Sequence, residues 1–427
     1  MPYEPVDAVE VRIWGQRVGA TALDPKLEHY AFEYDPTFVR SGIELAPRAM
    51  PLGAASEPFI FPSLPVLTYK RLPAMLADSL PDDFGNGLID AWMASKGIAV
   101  SQVTPLDRLA YMGKRGMGAL EFRPARGPRA HATVIEMKSL VEGARRAIHG
   151  QLDSDDLAIA ALQQIIQVGT SAGGARAKAA VAWNRKTDEL SAGQFDAATG
   201  FEHWIIKLDG VGKDKELGSP QGYGRIEYAY YLMAEAAQIR MSESRLLEEN
   251  GRAHFMTKRF DRDGNEKHHL QSLCALSHLD YRQKATHDYN QLFQLLGELK
   301  LGQEAIAQAY RRVAFNVMAK NCDDHTKNIS FLLRQGEQWE LSPAYDVTYA
   351  YNPHGEWTYQ HLMGVNGKFK DITREDLKVV ADRFGIGAAP RLLDDVRAAV
   401  AAWPAFAKKA GVPKNTIEQI RREHVLL

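Results

Sequence analysis

The sequence predicts an α+β protein in which a mostly antiparallel sheet precedes a helix-rich half. Two observations carry that expectation. Strand patterns between residues 126 and 265 are interrupted by few helices, an order that suits an antiparallel sheet better than a doubly wound one. Beyond Asp288 the apolar residues change to helical spacing. A chain of 427 residues is long enough for two or three domains with full-sized cores.

The elements follow in order. "VRIWGQRVGATAL" (Val11–Leu23) reads as two short strands around a Gly-Gln turn, and "HYAFEYD" as another strand. Pro47, Pro51, Pro58, Pro62 and Pro65 mark a long irregular connection. "LPDDFGNGLIDAWMASKGI" gives a turn and then a helix through Leu88, Trp92 and Met93, and "GALEFRPARGP" a strand running into a break. "DSDDLAIAALQQIIQ" has Ser154 as N-cap and acids in its first turn. A small-residue loop, "VGTSAGGARAK", then enters a strand. "HWIIKLDG" is a buried-strand pattern, "RIEYAYYLMAEAAQI" an amphipathic helix, and "HFMTKRFDRDGN" a strand closed by an Asp-Gly turn. In the second half a helix through "QEAIAQAYRRVAFNVMAKN" runs into "NCDDHTKN"; "ISFLLRQGEQWELSPAYDVT" reads as two strands around a Gly turn, and helices return from Thr373.

Bulk properties exclude several classes. Hydrophobic content of 45%, charged content of 25% and a net charge of -1 give no global field toward nucleic acid or anionic membrane. Two cysteines, Cys274 and Cys322, allow neither a disulfide scaffold nor a cysteine-rich zinc site. "MPYEPVDAVEVRIW" lacks the basic and apolar regions of a signal peptide, and no apolar run approaches bilayer length, so a cytoplasmic location is expected.

"NCDDHTKN" (Asn321–Asn328) gathers acids, a histidine and a lysine where a plain element would alternate polar with apolar residues. Asp323 and Asn328 stand five positions apart, the spacing at which an Asp can accept a hydroxyl proton while an Asn oxygen holds Mg²⁺. Asp346, after the next strand pair, supplies a second carboxylate; His325 could donate to a phosphate oxygen and Lys327 neutralise transferred charge. Each also has a plain structural reading as a capping, turn or surface residue. Lys207 inside an apolar strand needs either an escape to the sheet edge or a phosphate and an acidic partner. The loop around Ala172, Gly173, Gly174 and Ala175 could bring backbone N–H groups close to phosphate, with Arg176 and Lys178 adding charge, or be a flexible hairpin.

Taken together, these motifs resemble a HipA-type serine/threonine protein kinase, the toxin of a type II toxin–antitoxin pair. The resemblance runs through "VRIWGQRVGAT", "AFEYDP", "LPDDFGN", "TSAGGARAK", "HWIIKL", "KRFDR", "DDHTKN" and "LSPAYDVT". It implies a protein-kinase-like fold: an N-terminal α/β subdomain (1–125), a small β-rich nucleotide-binding lobe (126–265) and an all-helical C-terminal lobe (266–427). It makes Asp323 the catalytic base, Asn328 and Asp346 the magnesium ligands, and Lys207 the strand lysine on the ATP phosphates. Gly173, Gly174, Ala175, Arg176, Ala177 and Lys178 would form the phosphate-facing loop. His325, Lys327 and Tyr345 would line the nucleotide site, and Lys258 and Phe260 the adenine hinge; Glu227 is the expected partner of Lys207. Ser171, beside Thr170, would be autophosphorylated, which ejects the loop. Ala175-Arg176 departs from relatives that carry a longer polar side chain there. The implied partners are a HipB-like helix-turn-helix antitoxin, DNA only through that complex, and a protein substrate, in relatives an aminoacyl-tRNA synthetase; no membrane is involved. An antitoxin-binding co-repressor with secondary or lost catalysis, and a small-molecule kinase, are the alternatives.

Overall fold

The computed structural model describes residues 3–128, 177–211, 222–249 and 251–427, with Met137, Leu140, Val141 and Ala144. The Ser154 helix and the loop residues Thr170, Ser171, Gly173, Gly174, Ala175 and Arg176 lie outside them.

The N-terminal unit is a four-stranded antiparallel sheet in the order β3-β2-β1-β4. It comprises β1 (Ala8–Ile13), β2 (Gln16–Asp24), β3 (His29–Tyr34) and β4 (Glu121–Arg123). Period-two alternation buries Val9, Val11 and Ile13 and turns Glu10 and Arg12 outward. The hairpin turn falls on Trp14-Gly15, one residue before the expected Gly-Gln: Ile13 pairs with Gln16, and φ is 47° at Trp14 and 78° at Gly15. Two left-handed residues match the strand twist. Trp14 is held in that conformation by its indole N–H, which donates to the Lys267 carbonyl at 2.7 Å.

The second sheet contains β5 (Lys178–Trp183), β6 (Leu190–Ala192), β7 (Glu202–Lys207), β8 (Ser244–Glu249) and β9 (Arg252–Lys258). Their order is β6-β5-β7-β9-β8 and every pairing is antiparallel, as the sequence pattern predicts. One face buries Val181, Trp183, Trp204, Ile206 and Met256, sharing that core with Leu88 from the Asp83–Ala94 helix of the N-terminal unit. The Tyr223–Ala236 helix joins β7 to β8. Its first turn passes so close to β9 that a Cβ on Gly224 would sit 2.0 Å from the Ala253 carbonyl oxygen. Glycine at 224 thus lets this helix reach the sheet.

A short hairpin, β10 (Arg262–Asp263) and β11 (Glu266–Lys267), leads into the helix-rich half. There the Tyr289–Glu298, Gln303–Met318, Arg374–Arg383 and Ala389–Ala401 helices are joined by a three-stranded sheet. That sheet pairs β14 (Ser330–Leu333) with β15 (Trp339–Leu341), the two strands expected around the Gly turn, and adds β12 (His269–Ser272) on β14; the lobe is therefore not all-helical. A parallel bridge pairs β13 (His287–Asp288) with β16 (Met363–Gly364). Among the described residues no helix is long and apolar enough to cross a membrane.

The "KRFDR" segment fastens these parts together. Arg259 donates to Asp261 through Nε (2.9 Å) and Nη2 (2.6 Å), both side chains fully buried. Asp261 also accepts the Gly118 N–H at 2.8 Å, and Arg262 reaches the Gly118 carbonyl at 3.3 Å. Burial alone would raise the Asp261 carboxyl, but the charges of Arg259 and Arg262 hold it well below the usual carboxylate range. Its contribution to stability is therefore complete above about pH 4 and drains away as the pH falls further. Asp261→Asn leaves two buried guanidinium groups without their carboxylate and should cost about 3 kcal/mol. Chemical denaturation at neutral pH measures this; an unchanged midpoint would rule out the role given to the cluster.

Candidate active site

Antiparallel register sets Lys178 on β5 directly opposite Lys207 on β7. Cross-strand partners share a sheet face, so two ammonium groups would repel one another unless carboxylates intervene. Glu227, 2% exposed on the Tyr223–Ala236 helix, accepts from Lys207 Nζ at 2.5 Å. Lys207 also donates to Asp346 Oδ1. Burial alone would lower the lysine; Asp346 and Glu227 overcome this and raise its pKa above the ordinary value. At Asp346, burial opposes ionisation, while Lys207 and then Lys178 hold the carboxyl well below its usual range. Asp346 has φ +51°, a left-handed conformation that Asp tolerates better than most side chains.

Lys178, 3% exposed, has a second carboxylate at 3.8 Å, Asp82 of the N-terminal unit. Ala177 is buried and its carbonyl accepts the Leu208 N–H at 2.9 Å, which fixes the start of β5.

The Asn321–Asn328 segment leaves the Gln303–Met318 helix and enters β14. Asn328 Nδ2 donates to the Asp323 carbonyl at 2.8 Å, closing the loop on itself and leaving the amide oxygen for another partner. His325 Nε2 lies 3.8 Å from Asp323 Oδ1, and the histidine's charge also acts on Asp346. Asp323 is half exposed. One cavity is lined by Asn316, Asn321, Asp324, Asn328, Tyr345 and Asp346. The structure thus brings Asp323, His325, Asn328, Asp346, Lys207 and Lys178 into one neighbourhood.

Lys327, itself part of this loop, has its ammonium 5.6 Å from the Tyr281 ring centre. Burial would lower it, but Asp78 and Tyr281 keep its pKa raised. Tyr345 is oriented by its hydroxyl, which lies 2.6 Å from Ser330 Oγ and donates to the Lys327 carbonyl at 2.7 Å; its ring centre is 5.6 Å from that of Phe260. Lys258 departs from expectation. It pairs with Trp204, three positions from the Lys207–Phe255 pair, so alternation turns it to the other sheet face. There it donates to Glu202 at 2.7 Å. Its side chain is corrected to a surface ion-pair role.

Sequence reasoning also missed what Asp324 does. Its Oδ1 accepts the Leu362 N–H at 2.8 Å, and its Oδ2 accepts the Tyr289 hydroxyl at 2.8 Å and lies 2.9 Å from His361 Nδ1. This buried carboxylate anchors the segment carrying Asp323. The only local signal is its adjacency to Asp323, which says nothing of partners 35 to 39 residues away. Burial would lower His361, yet Asp324 drives it up to about 10, so the pair is ionic at neutral pH.

A five-stranded antiparallel sheet whose lysine is clamped to a helix carboxylate, set against a helical half carrying an Asp-x4-Asn loop, is a protein-kinase-like fold. Residues 9–123 match the HipA N-terminal domain, and residues 170–424 match the HipA-like C-terminal domain. The second match spans more than half of the chain, and the protein belongs to the HipA family. Among solved structures it is similar to the Shewanella oneidensis MR-1 toxin–antitoxin system HipA, HipB and operator DNA complex. The TM-score is 0.68 at 17% identity, covering 97% of this chain and 95% of that one, a likeness of fold. The Helicobacter pylori proinflammatory kinase CtkA aligns with a TM-score of 0.33 at 12% identity, over 53% of this chain and 88% of that one; such a score does not establish a common fold. No curated protein matches the sequence.

The Asp324–His361 pair has a pH signature. A histidine whose pKa is higher folded than unfolded stabilises fully below about pH 6.5 and loses that contribution as the pH rises. With His361 at about 10, melting temperature should fall between neutral pH and pH 10. His361→Gln should start about 3 kcal/mol less stable and lack this alkaline decline. Equal slopes for the two proteins would contradict the ionic pairing.

Proposed function

We propose that the chain is an ATP- and Mg²⁺-dependent serine/threonine protein kinase acting as the toxin of a HipA–HipB-type pair. The observation that carries this reading is the sharing of Asp346: it is bound to the Glu227-anchored Lys207 and lines one cavity with Asn328. A carboxylate and an amide oxygen are the hard donors magnesium accepts alongside phosphate oxygens and water. The residues therefore fit the ion, which when bound neutralises phosphate charge.

In this reading Lys207 and Lys178 bind ATP phosphates, and Phe260 and Tyr345 flank the adenine side. Asp323 takes the proton of the acceptor hydroxyl as that oxygen bonds to the γ-phosphorus. The bond from that phosphorus to the bridging oxygen breaks, and ADP leaves with the electron pair. His325, within reach of Asp323, orients it. Asn328 steadies the loop through the Asp323 carbonyl, so donor and acceptor stay in line. Lys327, in the same loop, would neutralise charge on the transferred group. Ser171, with Thr170 beside it, is the proposed autophosphorylation site, where a dianion beside ATP would be repelled.

The substrate is inferred to be a protein, by family resemblance an aminoacyl-tRNA synthetase, whose modification would halt translation. A HipB-like helix-turn-helix antitoxin is the inferred partner, supported by the similarity to a complex that contains HipA, HipB and DNA.

Incubation with γ-labelled ATP and a host lysate should label the chain itself and a protein acceptor. Asp323→Gln should reduce transfer at least about 100-fold. Because Asp323 is half exposed, the variant should keep its melting temperature. Undiminished labelling would overturn the assignment, and label found only in metabolites would favour a small-molecule kinase. Affinity purification from the native host should recover a small helix-turn-helix protein with the chain; recovery of the chain alone would count against the partner.

A further inference from the structure

The "LPDDFGN" motif belongs to the N-terminal unit, yet one of its carboxylates enters the active-site charge array. Asp82 caps the Asp83–Ala94 helix through Oδ1, which accepts the Gly85 N–H at 2.8 Å. Its other oxygen is buried, has no hydrogen-bond partner among the described residues, and lies 3.8 Å from Lys178 Nζ. The two side chains are 7% and 3% exposed, so water screens this contact little. Capping needs only one oxygen. The second is a buried anion presented to a lysine that, on the reading above, binds nucleotide phosphate.

We propose that Asp82 is a positioning residue that holds Lys178 in the place a nucleotide phosphate takes, so that phosphate binding must displace this carboxylate from the lysine. The N-terminal unit thereby sets nucleotide affinity. Glu227, Lys207, Asp346, Lys178 and Asp82 alternate in sign across the site, from the Tyr223–Ala236 helix to the N-terminal unit. Phosphate arriving at the lysine end meets Asp82 as a like charge with little solvent between them. Burial pushes the Asp82 carboxyl up to about 6, with Lys178 acting against it, which agrees with an anion kept in a costly place. Aligned with this, Lys327 is the other lysine whose charge acts on Asp82.

The inference rests on the assignment of Lys178 to phosphate binding, and the test separates the two. Asparagine is as good an N-cap as aspartate, so Asp82→Asn removes the charge while keeping the helix start. Calorimetric titration of the full chain with a magnesium complex of a non-hydrolysable ATP analogue should show about 3- to 10-fold tighter binding for Asp82→Asn than for wild type. Adenosine, lacking phosphates, should bind both equally. Asp83→Asn, at a neighbouring carboxylate whose side chain is 83% exposed, should change nothing. In a Lys178→Met background the gain from Asp82→Asn should vanish. Unchanged or weaker analogue binding by Asp82→Asn would overturn the proposal, as would an equal gain from Asp83→Asn or a gain that survives loss of Lys178. A wild-type chain that ignores the analogue would sink the kinase reading together with it.

Discussion

Two lysines facing each other across an antiparallel pair impose the constraint around which the molecule is organised. Lys178 and Lys207 project from the same face of the central sheet, and both are largely buried. Such an arrangement is tolerable only with carboxylates around it, because an uncompensated buried ammonium costs several kcal/mol. The carboxylates come from three distant parts: Glu227 from the helix after β7, Asp346 from the segment after β15, and Asp82 from the N-terminal unit. Each part therefore brings to the sheet a carboxylate whose loss would leave a buried ammonium uncompensated.

The N-terminal unit is bound at several independent points. Leu88 joins the core behind the central sheet, and Gly118 is tied to the buried Asp261. Asp78 accepts both the backbone and the hydroxyl of Ser272, at 2.7 and 2.8 Å. Thr68 donates to Asp280 at 2.5 Å. These contacts tie the unit to the elements that carry the candidate site, since a shift of either partner would leave buried polar groups unpaired.

Much of the candidate site is proposed from residue order because its signals are local. A lysine in the apolar run "HWIIKL" has few structural explanations, and an aspartate after a strand pair in "LSPAYDVT" suits a ligand. Asp324 shows the limit: spacing cannot tell a reacting carboxylate from a neighbour that anchors the backbone, because the anchor's partners, Tyr289, His361 and Leu362, are remote in sequence. The face of Lys258 depends on register with β7, which a single strand does not encode. β12, "HLQS", has no apolar alternation; it is a strand because β14 supplies its hydrogen bonds. The Arg259–Asp261 pair was not legible either: it closes across the turn that follows β9, and strand alternation does not predict it.

The proposed function requires that the amide of residue 328 and the carboxylate of residue 346 meet at one divalent ion beside a nucleotide. Crystals grown with manganese and a non-hydrolysable ATP analogue measure that directly through anomalous scattering. The account predicts one strong peak between the Asn328 Oδ1 and Asp346 carboxylate positions, with the Lys207 ammonium turned onto a phosphate oxygen. A nucleotide bound elsewhere, or a metal peak away from both side chains, would contradict it.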